Sequence, residues 1–96
     1  MLKHLLATSS LIVLIAAPLL AVQDSPQRLY ERGAFDETVQ RVNTERAAGN
    51  NDLVSTYLAG QALLKLDRDN DARAEFARLA NSDNQTWQAV GKSAIG

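Results

Sequence analysis

From residue 26 onward, apolar residues recur at three- and four-residue intervals, and nowhere do apolar and polar positions alternate over the length of a strand. Each segment is therefore expected to be a helix, and the fold all-α. Local stop and start signals divide the chain into five short helices. Ser25 before Pro26 is a cap followed by proline at the first helical position, and Gly33 stops that helix, which spans about 26 to 32. Asp36 opens a second helix of about 36 to 48, broken by Gly49, Asn50 and Asn51. Asp52 caps a third, LVSTYLAGQALLKL, which is apolar on nearly every face except a strip around Gln61 and Lys65, and so is expected to be buried on several sides.

A fourth helix follows the DRDND turn, with Asp69 or Asn70 as its cap, and carries Ala72, Phe76 and Leu79 in one stripe. Asn81 to Asn84 separates it from a last helix bearing Trp87, Val90, Gly91 and Ala94 on one face. Connectors of two to six residues force sequential helices to pack antiparallel as hairpins.

The hairpins can be laid on one another. An offset of 34 residues places Leu29 on Leu63, Thr38 on Ala72 and Val42 on Phe76. Within that frame Ala59, Gly60 and Leu63 are followed by Ala72 and Phe76, and Trp87, Val90 and Gly91 open a third unit whose connector is three residues shorter. The stretch Tyr30-Glu31-Arg32-Gly33-Ala34-Phe35-Asp36-Glu37 forms the corresponding turn of the first unit. This arrangement resembles the tetratricopeptide family, with its W-x2-L-G-x2-Y first helix and A-x3-F second helix. Ala59, Gly60 and Leu63 stand in the L, G and Y places, Ala72 and Phe76 in the A and F places, and Thr38 and Val42 in the A and F places of a degenerate first unit.

The resemblance covers about residues 26 to 95. It implies hairpins stacked as a short right-handed solenoid, whose first helices line a concave groove that takes an extended peptide or a partner helix. The groove positions it marks are Tyr57, Gln61 and Lys65 on the third helix and Gln88 and Lys92 on the fifth. A mid-helix glycine costs about 1 kcal/mol relative to alanine. Gly60 and Gly91 are therefore expected to face a neighbour that approaches the bare backbone. Solenoids need about three repeats to bury a continuous core. Two pairs plus a single helix would leave Trp87, Val90 and Ile95 on an uncovered face, which predicts a homodimer or a docked partner at that end.

Residues 1–21 read as a signal peptide. Lys3 and His4 give a basic start, Leu11 to Ala17 is an unbroken apolar run, and Pro18 precedes a cut expected after Ala21. Leu19 departs from the small residue preferred three places before that cut. The alternative is an uncleaved anchor, since Leu5 to Val22 is an 18-residue stretch, although Thr8, Ser9, Ser10 and Pro18 interrupt it. Both readings place residues 22–96, a single helical-repeat domain, outside the cytosol, periplasmic or secreted if the leader is cut and anchored facing outward if it is not.

Composition narrows the chemistry. The chain has no cysteine, and its single histidine is His4, so residues 22–96 hold neither His nor Cys. Thiolate and imidazole metal sites and nucleophiles are excluded on inventory. Lys3 is the only charge in the first 23 residues, so the rest carries nine of the 10 basic residues against all 11 acidic ones. With no basic stripe to neutralise phosphates, nucleic acid is not an expected partner.

Three short matches fail when counted out. Asp67, Asp69 and Asp71 begin like a calcium loop, but Ala72 replaces its glycine and Arg78 its terminal glutamate. Gly91-Lys92-Ser93 ends like a phosphate loop, yet Thr86 stands where the first glycine belongs. Asn84-Gln85-Thr86 is a glycosylation triplet with meaning only in an organism that glycosylates exported proteins. A carboxylate-dependent hydrolase would need two acids facing one cleft about 5 to 9 Å apart. The acids here gather in turns and helix starts, such as Asp36, Glu37, Asp69 and Asp71, where capping demands them. The sequence thus predicts no enzymatic activity and no cofactor, and instead a protein-binding scaffold of the cell envelope. The membrane-anchored variant of that scaffold would be an envelope assembly factor.

Overall fold

The computed structural model describes residues 23–96; the expected signal peptide and its cut after Ala21 lie outside the described residues. Five helices follow in order: α1 (Pro26–Glu31), α2 (Phe35–Ala47), α3 (Leu53–Lys65), α4 (Asp69–Ala80) and α5 (Gln85–Ile95). Three begin with the side-chain cap that their sequence specifies. Ser25 Oγ accepts from Arg28 N at 3.2 Å, Asp52 Oδ1 from Val54 N at 3.2 Å, and Asn84 Oδ1 from Trp87 N at 3.0 Å.

The other two helices start differently from expectation. α2 begins at Phe35 and α4 at Asp69, each one residue after a non-capping Ala34 or Arg68, with no side-chain cap. The reason is a turn that closes on the backbone alone. Gly33 and Asp67 both take positive φ, +80° and +59°, so that the next amide, of Ala34 or Arg68, donates to Leu29 O or Leu63 O at 2.9 Å. The carbonyls of Ala34 and Arg68 then accept the first helical bonds, from Thr38 N and Ala72 N. Every partner in one turn is the residue 34 places after its counterpart in the other. Acidic first turns, Asp36 and Glu37 on α2 and Asp69 and Asp71 on α4, meet the positive ends of the two helices without capping them directly.

The same spacing governs burial. Leu29 and Leu63, Thr38 and Ala72, and Val42 and Phe76 are all buried, as the 34-residue alignment expects. Thr38 fits where its counterpart is alanine because its hydroxyl donates to Ala34 O at 2.7 Å and leaves no unpaired polar group. Consecutive helices pack against each other and α1 also touches α3. The core is built from Leu63, Ala72, Phe76 and Leu79, with Val39, Leu53, Tyr57, Trp87, Val90 and Ile95 packed on it.

Two glycines set how closely the helices approach. A Cβ on Gly60 would stand 2.6 Å from the Phe76 ring, so Phe76 fills the space that the missing side chain leaves. Gly91 meets backbone instead: a Cβ there would fall 2.6 Å from Phe76 O and closer still to Ala80 N. α5 therefore lies directly on the α4 main chain. That seat corrects one expectation, because Trp87, Val90 and Ile95 are half-buried and packed on the core and do not form an uncovered face. Trp87 and Ile95, four residues either side of Gly91, share its face and turn inward with it.

The two hairpins are joined by a polar clasp that no local pattern announces. Arg46 of α2 makes a two-pronged contact with Glu75 of α4, at 2.7 and 3.4 Å, and also reaches Thr56 Oγ1 of α3 at 3.3 Å. The two charged side chains are only 16% and 13% exposed. Removing Arg46 leaves Glu75 the longer contact to Arg78 at 3.8 Å, and removing Glu75 leaves Arg46 without its carboxylate in a partly dry site, each at a cost of about 1.5 to 3 kcal/mol. Arg46→Met and Glu75→Gln are each expected to lower stability by that amount, and together by less than the sum. Urea denaturation of the two single variants and the double variant measures this; strict additivity would show that the clasp is not a coupled pair.

Candidate functional site

α3 has two unlike faces. Ser55, Thr56, Ala59, Gly60, Ala62 and Leu63 are buried, and they are mostly small because neighbouring helices come close there. The opposite stripe, Val54, Tyr57, Gln61 and Leu64, runs along the outside at helical spacing, with Lys65 at its end. Among the described residues, Val54 and Leu64 are the two large aliphatic side chains most open to solvent, at 45% and 41%. The expectation that α3 is buried on several sides holds for the small residues and Leu63, while Val54 and Leu64 partly face water.

Beside this stripe runs an open groove of about 410 Å³, lined by Tyr57 and Gln61 from α3 and by Ala89, Val90, Ser93 and Ala94 from α5. Tyr57 is shared between the groove and the core. Its ring lies 5.7 Å from that of Trp87 and 6.3 Å from that of Phe76, so half of it is core. A smaller hollow of about 140 Å³ sits between Leu64, Asp69, Ala72, Arg73, Phe76 and Ala94, and Ala94 borders both.

The five residues marked in the sequence divide. Tyr57 and Gln61 come together in the groove, and Lys65 is exposed at the end of the same stripe. Gln88 turns away and donates from Nε2 to Ser82 O at 2.6 Å, tying α5 to the turn before it. Lys92 is exposed but is not among the residues that line the groove. What sequence reasoning missed is Val54, Leu64, Ala89, Ser93 and Ala94. A signal existed for the first two: Val54, Tyr57, Gln61 and Leu64 follow i, i+3, i+7, i+10 on a helix whose other side is small. For α5 the signal was Gly91, expected to face a close neighbour, but that contact with the α4 backbone was not carried through to Ala89 and Ser93 beside it.

Chemically the groove is plain. Neither α3 nor α5 contains an acidic residue, and each has one lysine. Among the described residues no group of three or more His, Cys, Asp or Glu could hold a metal ion, and no helix is long and apolar enough to cross a membrane. What the arrangement offers is apolar contact, amide and hydroxyl hydrogen bonds from Gln61 and Ser93, and one cation at the edge. Comparison with family models, with curated proteins and with solved structures found no match to this chain.

Proposed function

We propose that this protein is an exported, non-enzymatic interaction module of the tetratricopeptide type, whose α3 stripe and α3/α5 groove hold a peptide segment or partner helix. The observation that carries the proposal is the row Val54, Tyr57, Gln61 and Leu64, half-buried at its middle and exposed at Val54 and Leu64, beside an acid-free groove of about 410 Å³. Aliphatic side chains lying partly open in a row next to a concavity are more costly to leave in water than scattered ones, and they mark contact surfaces. The tetratricopeptide reading draws support from the 34-residue correspondence of turns and buried positions in α1–α2 and α3–α4. Stacked as that reading implies, the hairpins would form a short right-handed solenoid.

The bound segment would lay apolar residues on Val54, Tyr57 and Leu64 and present a carboxylate to Lys65. Selecting binders from a random peptide display library on the immobilised chain tests this. Leu64→Asp and Lys65→Glu should each weaken a selected peptide at least tenfold, whereas Lys92→Glu should change affinity less than twofold. Equal affinity for wild type and Leu64→Asp would refute the groove. If the leader is retained, the same domain serves as a membrane-anchored envelope assembly factor.

A further inference from the structure

The 34-residue correspondence loses its apolar character at one place, and there the structure is hollow. Shifted by 34, Tyr30, Phe35, Thr38, Val39 and Val42 fall on Leu64, Asp69, Ala72, Arg73 and Phe76. Those residues, with Ala94, line the hollow of about 140 Å³. Ala94 is the image of Leu63 on α5, by the same shift of 31 that carries Gly60 to Gly91. Three of the replacements matter. Phe35, which stacks edge-on against Tyr30 at 5.4 Å, becomes Asp69; Val39, packed on the core, becomes Arg73; and Leu63, 3% exposed, becomes the exposed Ala94. Apolar bulk is withdrawn from the second copy, and an acid and a base stand at its rim. The floor stays apolar, since Ala72 and Phe76 are buried.

Asp69 and Arg73 lie four residues apart, on neighbouring turns of α4, where opposite charges commonly pair. Here they do not. Among the described residues the ion pairs join Arg32 to Asp24, Arg46 and Arg78 to Glu75, and Arg68 to Asp71. Both charges at the hollow are left to a ligand. The geometry points to a binding site for a free apolar amino acid between leucine and phenylalanine in size. Its ammonium meets the Asp69 carboxylate, its carboxylate meets the Arg73 guanidinium, and its side chain lies on Ala72, Phe76 and Leu64. Size agrees, since an apolar cavity of about 150 Å³ takes a molecule of benzene's bulk. Charge agrees as well: a simple anion or cation would meet one attraction and one repulsion, whereas a zwitterion meets two attractions. Because the rim is open to solvent, water weakens each ionic contact, and the expected dissociation constant is in the millimolar range. The site adjoins the α3/α5 groove at Ala94 and does not depend on that groove holding a peptide.

The test is a titration of the isotope-labelled full chain with L-leucine, N-acetyl-L-leucine, L-leucinamide and isobutanol, each carried into the tens of millimolar and followed through the amide signals of residues 69–73 and 94. L-leucine should bind saturably. The acetyl form lacks the ammonium and the amide form the carboxylate, and each should bind about fivefold more weakly, the upper end for a solvent-exposed charge contact. Asp69→Asn should abolish the preference for L-leucine over the acetyl form and keep that over the amide form; Arg73→Gln should do the reverse. Ala94→Leu should fill the hollow, raise Tm and end binding, and a raised Tm shows that the loss does not come from unfolding. No saturable shift with L-leucine, or unchanged affinity in Ala94→Leu, would overturn the site. Isobutanol binding as tightly as L-leucine would overturn it too, since the charges would then take no part. N-acetyl-L-leucine binding as tightly as L-leucine would assign the hollow to the carboxyl end of a peptide and overturn the free amino acid.

Discussion

Replacing Phe76 with alanine is expected to abolish cooperative folding. Phe76 is 2% exposed and is one of the largest fully enclosed side chains. It fills the space left by Gly60, touches Tyr57, and stands in the α4 segment on which α5 is seated. Truncating a buried phenylalanine costs about 3 to 5 kcal/mol. That matches the roughly 3 to 5 kcal/mol that a domain of this size can draw from its core. Far-UV circular dichroism against temperature should show a broad, shallow decline in place of a transition; a sharp melt within a few degrees of wild type would refute the central role of Phe76. Gly60→Ala supplies an internal check. Alone it should destabilise, because its Cβ meets the ring. In a Phe76→Leu background, which keeps an apolar side chain but removes the ring, the penalty should shrink, because alanine favours the helix by about 1 kcal/mol.

The second large effect is expected from Gly91→Ala. On propensity alone the change should stabilise α5 by about 1 kcal/mol. Contact decides otherwise, since the new Cβ would fall on Phe76 O and Ala80 N, main-chain atoms that cannot rotate aside. α5 must lift from α4, and overpacking of this kind costs about 1 to 3 kcal/mol. Trp87 is the chain's only tryptophan and leans on Tyr57, so its fluorescence reports the lift directly. Its emission should move to longer wavelength and be quenched more readily by acrylamide, with a lower Tm. Lys92→Ala, one residue on and exposed, should do neither. A Tm equal to or above wild type for Gly91→Ala would mean that α5 does not sit as described.

These residues also show how far sequence reasoning reaches. Leu29, Thr38 and Val42 could be set against Leu63, Ala72 and Phe76 because helical burial is periodic, and periodicity is written in residue type. The caps Ser25 and Asp52 were legible for a similar reason, each being a short polar side chain beside the amide it serves, whereas Asn84 was read only as part of a separator and its capping bond to Trp87 N came from the structure. The starts of α2 and α4 were not, because their turns close on backbone through positive φ. Glycine at position 33 advertises such a turn, but aspartate at 67 does not. Arg46 and Glu75 lie 29 residues apart on different helices, and only the packed fold joins them. In the candidate site, Tyr57, Gln61 and Lys65 were found from the α3 pattern. Gln88 and Lys92 were marked for the groove on α5, whose orientation depends on a helix-to-backbone contact that no hydrophobic pattern encodes. Gln88 answers the nearby Ser82 carbonyl instead.

The Arg46, Thr56 and Glu75 clasp has a consequence for how the molecule comes apart. In an array of like hairpins each unit touches only its neighbours, and with a weak junction the units fray one after another from the ends. A two-pronged ion pair that reaches from α2 to α4 and catches α3 between them makes opening of the first hairpin a loss for the second. The two halves are then expected to share one opening free energy and to denature together.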